Sequence, residues 1–288
     1  MNATGSPVIA RAPGRTDGSL GTTPPSWMQA LLMSRYQFRD YLRSRRFLLM
    51  IGIVAAISAI LIAVIAHYRP AGLISTGAAF FGSAWIGGVG VLIIFSAIIF
   101  GGDAIAGEFQ NKTGYYLMGL PIKRWSVYAG KYLAAFGASL VTIGVYFVVL
   151  LLAGAYFVGG GAIGAGVFES FALVMLYLAA VLGTTFLFSS LFKTSMYGVI
   201  IVAIMFLFGF TIVSALVEGL VGVTPWFIIT WAQSALSYPI TGLPRTAGLS
   251  AAGIVVYPTY AQGIGVMLGY FVGTTLGGLA LFEREEFT

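Results

Sequence analysis

Six stretches of roughly twenty residues, none containing a charge, run through this 288-residue chain, and twenty residues is the length an α-helix needs to cross the hydrocarbon core of a bilayer. They fall near Phe47 to Ala66, Gly82 to Gly102, Tyr132 to Val158, Ser170 to Phe192, Met196 to Leu216 and Gly263 to Phe282. Backbone amides in hydrocarbon must bond to one another, so each stretch is expected to be helical. Only 8% of the residues are charged and the mean hydropathy is +0.95, far from the roughly 25% charge of soluble domains. The expected fold class is therefore an all-α polytopic membrane protein with six transmembrane helices. The third stretch is long enough to tilt or to extend beyond the bilayer. Lys193-Thr194-Ser195 alone joins the fourth to the fifth, which makes those two an antiparallel pair.

Six spans leave both ends of the chain on one side, and the basic residues say which. Arg11, Arg15, Arg35, Arg39, Arg43, Arg45, Arg46, Lys112, Lys123, Arg124, Lys131, Lys193 and Arg284 share that side, against Arg69 and Arg245 on the other. Short segments flanking membrane spans are enriched in Lys and Arg on the cytoplasmic face. Both termini are thus expected in the cytoplasm, in a multi-pass protein of the cell (plasma) membrane. The net charge of +6 follows from topology and forms no soluble basic patch, which argues against nucleic acid as a partner.

Residues 1–25, rich in Gly, Pro, Ser and Thr, read as a flexible cytoplasmic tail. No apolar core with a small-residue cleavage site stands near the start, so no signal peptide is expected. From Ser26, which can cap a helix, the pattern turns helical. Arg35, Arg39, Arg43 and Arg46 form a basic stripe, with Trp27, Leu31, Phe38, Tyr41 and Leu42 on a neighbouring sector. Residues 26–46 are expected as an amphipathic helix at the lipid interface, its arginines near phosphates of the membrane lipids. The alternative is an ordinary cytoplasmic extension of the first span. Residues 47–288 form the transmembrane domain.

The spans also exclude functions by what they lack. Proton relays and ion-coupled carriers place ionisable groups inside the membrane, whereas Asp103 and Lys131 stand only at span ends. An intramembrane aspartyl protease needs two embedded aspartates, and two of the three here, Asp17 and Asp40, precede the first span. The single histidine, His67, ends that span and leaves no partner for a serine dyad or a histidine metal site. The chain has no cysteine, hence no disulfide or thiolate site. Gly159, Gly161 and Gly164 fit G-x-G-x-x-G without the strand and helix that give it meaning, and read as a loop. The sequons at Asn2 and Asn111 fall on the cytoplasmic side. No G-x-x-x-x-G-K-[ST] occurs, so ATP, if used, is bound by another subunit.

Residues 101–127, GGDAIAGEFQNKTGYYLMGLPIKRWSV, interrupt the apolar sequence with two carboxylates, three basic side chains, two amides and a proline. Such a segment, amphipathic and closed by proline and basic residues, reads as a cytoplasmic docking helix between spans two and three, its charges satisfied by a partner or by water. It also resembles the cytoplasmic signature of type-2 ABC transporter permeases: E-x-E-x-G-T, a leucine-rich turn, P-x-x-R and, six residues on, G-K. Glu108 takes the first acidic position, Thr113 the threonine, Leu117 a leucine, Pro121 the proline, Arg124 the arginine, and Gly130 with Lys131 the closing pair, without a gap. Gln110 stands where the family often has a second acid and Lys112 where it usually has glycine. The resemblance is best from Asp103 to Lys131 and covers nearly the whole chain from Ser26.

This resemblance implies a non-catalytic permease subunit of an ATP-driven exporter, with no cofactor of its own. Two ABC ATPase subunits would bind ATP and Mg and grip the coupling helix, and a second permease copy, the same or different, would complete the pathway. Asp103, Glu108, Gln110, Lys112, Thr113, Leu117, Pro121, Arg124 and Lys131 would be the ATPase-coupling residues. Otherwise they only cap and solvate a surface loop. Rival functions are an ATPase-independent channel or carrier and a structural assembly protein.

Two features remain. The segment Val217 to Gln262 holds an apolar run, Pro225 to Tyr238, of only 14 residues, too short to span, with Trp226, Trp231 and Tyr238 suited to an interface. Re-entrant or interfacial helices are expected there, on the outer side, bounded or interrupted by Pro225, Pro239 and Pro244. They would cap the pathway or serve only for packing. Gly265, Gly269, Gly273 and Gly277 recur every fourth residue in the last span, a face suited to close helix packing in lipid, within the subunit or at a dimer seam.

Overall fold

A computed structural model describes residues 24–111, 122–242, 248–250, 253–255 and 257–284. Among them six helices are long and apolar enough to cross a membrane: Arg45–Tyr68, Gly77–Gln110, Arg124–Phe157, Ala165–Leu191, Ser195–Leu220 and Tyr260–Arg284. Each contains or overlaps one of the expected stretches, so the six-helix architecture stands. Most extend beyond the apolar core because a helix does not stop where lipid does. The third begins at Arg124, eight positions before Tyr132, and so brings Lys131 inside the helix.

Spans two, three and four form the centre and bury much of their surface, whereas spans one, five and six keep most of theirs open. The central aromatic cluster joins all three inner helices. Trp85 lies against Tyr146 and Phe147, and Phe147 stacks on Phe171 at 4.5 Å between ring centres. Spans four and six cross closely because small residues meet. A Cβ on Gly183 would stand 2.6 Å from the Thr274 hydroxyl, and one on Gly278 would stand 3.1 Å from the backbone of Leu187.

A leading helix, Ser26–Arg43, precedes the first span. Ser26 does not cap it: the cap position is Pro25, which makes no side-chain cap, and the Ser26 carbonyl accepts a bond of 2.9 Å from the Ser126 hydroxyl. Ser44, in extended conformation, ends this helix and caps the next by accepting from the Phe47 amide at 3.2 Å. The basic stripe is therefore divided. Arg35, Arg39 and Arg43 are exposed on the leading helix, while Arg46 sits in the first turn of span one. The apolar sector divides too. Ala30, Met33 and Phe38 face Gly130 and Gly137 of span three, and the Tyr41 hydroxyl donates to the Phe100 carbonyl at 2.9 Å. Trp27, Leu31 and Leu42 stay exposed. Burial, with Asp103 nearby, holds the Tyr41 phenol well above its usual pKa and keeps it a donor.

Between spans five and six the chain makes three consecutive helical pieces, Ile229–Ala232, Gln233–Ser237 and Tyr238–Thr241, and then a two-stranded antiparallel hairpin, Gly248–Ser250 with Gly253–Val255. Pro239 opens the last piece instead of interrupting a helix, since its missing N–H falls where no intrahelical bond is made; Pro244 lies outside the described residues. These linking turns are wedged among the spans. The Ser170 hydroxyl donates to the Leu236 carbonyl at 2.7 Å and accepts from the Trp85 indole at 3.1 Å. Ile229, Ala232, Ala235 and Leu236 are fully buried.

Candidate functional site

The charged side chains gather at the end of the bundle where the leading helix meets spans one to three. Within the segment Gly77–Gln110 the long helix of span two ends at Gly101, and the chain then turns through Gly102–Ile105 into the short helix Ala106–Gln110. The Gly107 amide donates to the Asp103 carbonyl at 2.8 Å and the Asn111 amide to Gly107 at 3.0 Å, which shape this turn locally.

Four other spans hold it. Arg46 of span one grips Asp103 with two parallel contacts, 2.7 and 2.8 Å, the fork geometry that suits guanidinium to carboxylate. Lys131 of span three reaches the Glu108 carboxylate and donates to the Ala104 carbonyl at 2.8 Å. Ser189 of span four accepts from the amides of Ile105 and Ala106 at 3.1 and 3.2 Å. The amide of Ser195, first residue of span five, donates to Gln110 at 2.8 Å. A Cβ on Gly102 would stand 3.0 Å from Val199, and one on Gly198 2.6 Å from the Gly102 carbonyl, so spans two and five meet backbone to backbone beside the turn.

The two ion pairs differ in setting. Arg46 is 54% exposed and Asp103 15%, whereas Lys131 is 5% and Glu108 17% exposed at the side chain. The first is a wet pair of modest strength. The second is largely withdrawn from water, where removing one partner leaves an uncompensated charge. On the far side of Lys131 the Arg124 guanidinium donates to the Glu283 carbonyl at 2.8 Å, joining the start of span three to the end of span six.

Of the sequence candidates, Asp103, Glu108, Gln110 and Lys131 therefore come together in one cluster, with Arg124 at its edge. Lys112, Thr113, Leu117 and Pro121 lie outside the described residues. Sequence reasoning missed Ser189 and Ser195 as anchors, and it assigned Arg46 to lipid. The Arg46 partner was readable in principle: spans one and two are antiparallel neighbours, and residues 46 and 103 stand roughly equally far along the chain from the link between them.

Among the described residues no group of three His, Cys, Asp or Glu could hold a metal. The cluster is built to fix the position of a polar turn. The family described as ABC-2 family transporter protein matches residues 42–209, more than half of the chain, from just before span one into span five and across this whole site. The chain belongs to the ABC-2 transporter family. It is thus a multi-pass membrane permease of the ABC type. Among curated proteins none matches it.

This ABC-2 permease places its glycine ladder unexpectedly. No neighbouring helix stands within 4 Å of where a Cβ on Gly265, Gly269 or Gly273 would lie, and only Gly277 meets another span, at 3.0 Å from Leu187. The first three floor an apolar groove of about 670 Å³ beside Trp226, Trp231 and Tyr270.

Proposed function

We propose that this chain couples ATP hydrolysis on two separate ABC ATPase subunits to export of a substrate across the plasma membrane, paired with a second permease copy. ATP and Mg belong to the ATPases. Both termini and the polar turn then face the cytoplasm, in keeping with the thirteen basic residues on that side against two on the other.

One observation carries the reading: the Asp103–Gln110 turn is bonded to spans one, three, four and five at once, through Arg46, Lys131, Ser189 and Ser195. A load applied to that turn by a docked ATPase passes to four helices without a soft joint. The Lys131 ammonium, holding both Glu108 and the Ala104 carbonyl, resists shear of the turn against span three. Arg124 extends the same connection to span six. Lys112, Thr113, Leu117 and Pro121 would supply the rest of the ATPase contact, with Gln110 and Lys112 altering its charge relative to the family signature. Arg35, Arg39 and Arg43 would rest on lipid phosphates.

The test is extraction of the protein with its native partners and assay of the ATPase. An ABC ATPase should co-purify, its activity rising with the permease present. Glu108→Lys should abolish the stimulation, and Glu108→Gln, which keeps the shape of the side chain without adding a second cation beside Lys131, should weaken it while the subunits still express. A preparation without ATPase, or a Glu108→Lys protein that still stimulates fully, would overturn the proposal.

A further inference from the structure

At the end of the bundle away from Asp103, two cavities of different character lie on adjoining faces of span two. One, of about 390 Å³, is lined by Ser83, Ser234, Ser237, Tyr238, Thr241 and Tyr257. The other, of about 490 Å³, opens between spans one and two beside Ile57, Leu61, Val64, Gly87 and Tyr146. Ser83 lines both, and at 100° per residue it stands between the Ala79, Gly82, Ile86 face and the Ala84, Gly87, Gly88 face. The ridge separating the two spaces is thus a small hydroxyl side chain.

The hydroxyls that line the polar cavity are of two kinds. Ser234, Ser237 and Thr241 already donate their protons to the carbonyls of Trp231, Ser234 and Ser237, at 2.9, 2.8 and 3.1 Å. The Tyr238 hydroxyl donates to the Pro258 carbonyl. What these four oxygens still offer is lone pairs, whereas the hydroxyls of Ser83 and Tyr257 can also donate, so the guest that suits them carries donors and acceptors together. No charged side chain among the described residues lines the cavity to pair a phosphate or an ammonium head, and an unpaired charge is costly to bury. An uncharged polyol meets both conditions. The neighbouring groove, apolar and open toward the surroundings of spans one and two, suits a hydrocarbon chain.

We infer that the two cavities form one binding site for an amphiphile with an uncharged, hydroxyl-bearing head and a single hydrocarbon tail, the head among Ser234, Ser237 and Thr241 and the tail between spans one and two. The site depends on the membrane-spanning fold and not on any coupling to an ATPase.

The glycines supply the test. A Cβ on Gly87 meets nothing within 4 Å and one on Gly82 makes only ordinary contact with Thr241 at 3.5 Å, so a side chain can begin at either position, and Gly87→Leu extends into the groove and Gly82→Leu into the polar cavity. The full chain in phosphatidylcholine nanodiscs is titrated with tritiated oleoylglycerol, oleoyl phosphate and oleylammonium. Oleoylglycerol should bind saturably and at least tenfold tighter than either charged analogue. Gly82→Leu and Gly87→Leu should each weaken it about tenfold and Thr241→Val several-fold, with Gly52→Leu, on open surface of span one, unchanged. Non-saturable uptake, equal binding of the three heads, preference for oleylammonium, or indifference to Thr241→Val and both glycine variants would each overturn the inference. Weakened ATPase stimulation in Glu108→Gln protein with this binding intact separates the two proposals.

Discussion

Lys131 is fastened to Glu108 across 23 positions of sequence, its side chain almost wholly withdrawn from solvent. A charge in that setting is tolerable only while its partner is present. Glu108→Met should therefore destabilise the protein by about 3–5 kcal/mol, whereas Glu108→Met combined with Lys131→Met should recover most of the loss. Unfolding midpoints of the single and double variants in a denaturing detergent series give the coupling. Additive losses would mean the pair is not a unit.

The Arg46 and Asp103 pair behaves otherwise. With the guanidinium half exposed, Asp103→Asn should cost under about 1 kcal/mol, and the difference from wild type should shrink as salt rises. Thermal unfolding at low and high ionic strength measures both.

Tyr41→Phe removes the bond from the leading helix to the Phe100 carbonyl. The expected loss is about 1 kcal/mol, and it falls on the docking of one helix more than on the bundle. Arg35, Arg39 and Arg43 lie on that helix, so limited trypsin digestion there should run several-fold faster in the variant, with the spans still protected.

Gly183→Leu and Gly269→Leu make a matched pair. At Gly183 new atoms meet Thr274 and Thr275 under 3 Å away, while at Gly269 they meet open space. The first should destabilise the isolated subunit by roughly 1–3 kcal/mol through overpacking; the second should stay within about 0.5 kcal/mol. If the ladder is the seam to a second copy, Gly269→Leu will nevertheless lower the dimer fraction on native mass analysis.

Much of this was legible because lipid is a demanding solvent. Every apolar stretch had to become a helix, so the number of spans follows from hydropathy. The ends were less legible: residues 124–131 are polar enough to look like a loop, yet they continue span three, and that continuation is what buries Lys131. The polar turn could be located from its composition and spacing. Its anchors could not, because Ser189 resembles the other serines of span four until the amides of Ile105 and Ala106 are seen to point at it. The glycine ladder left its partner open for a related reason. Four small residues in register reveal a face but not its occupant, and the close crossing is made at Gly183 and Gly278, where no ladder drew notice.

The fifth span holds a different kind of consequence. Two π-helical turns, Met205–Gly209 and Val217–Val221, interrupt it, and each accommodates an extra residue that rotates everything beyond it out of register. The buried stripe Gly198, Val202, Phe206 stops at the first of these turns. From there to Leu220 no residue is buried against the rest of the chain, and Leu207, Phe208, Ile212, Val213, Leu216 and Leu220 all face outward. That half-helix is a mast without stays: its own ladder of hydrogen bonds keeps it straight, and its bearing is set by whatever oil or helix surrounds it.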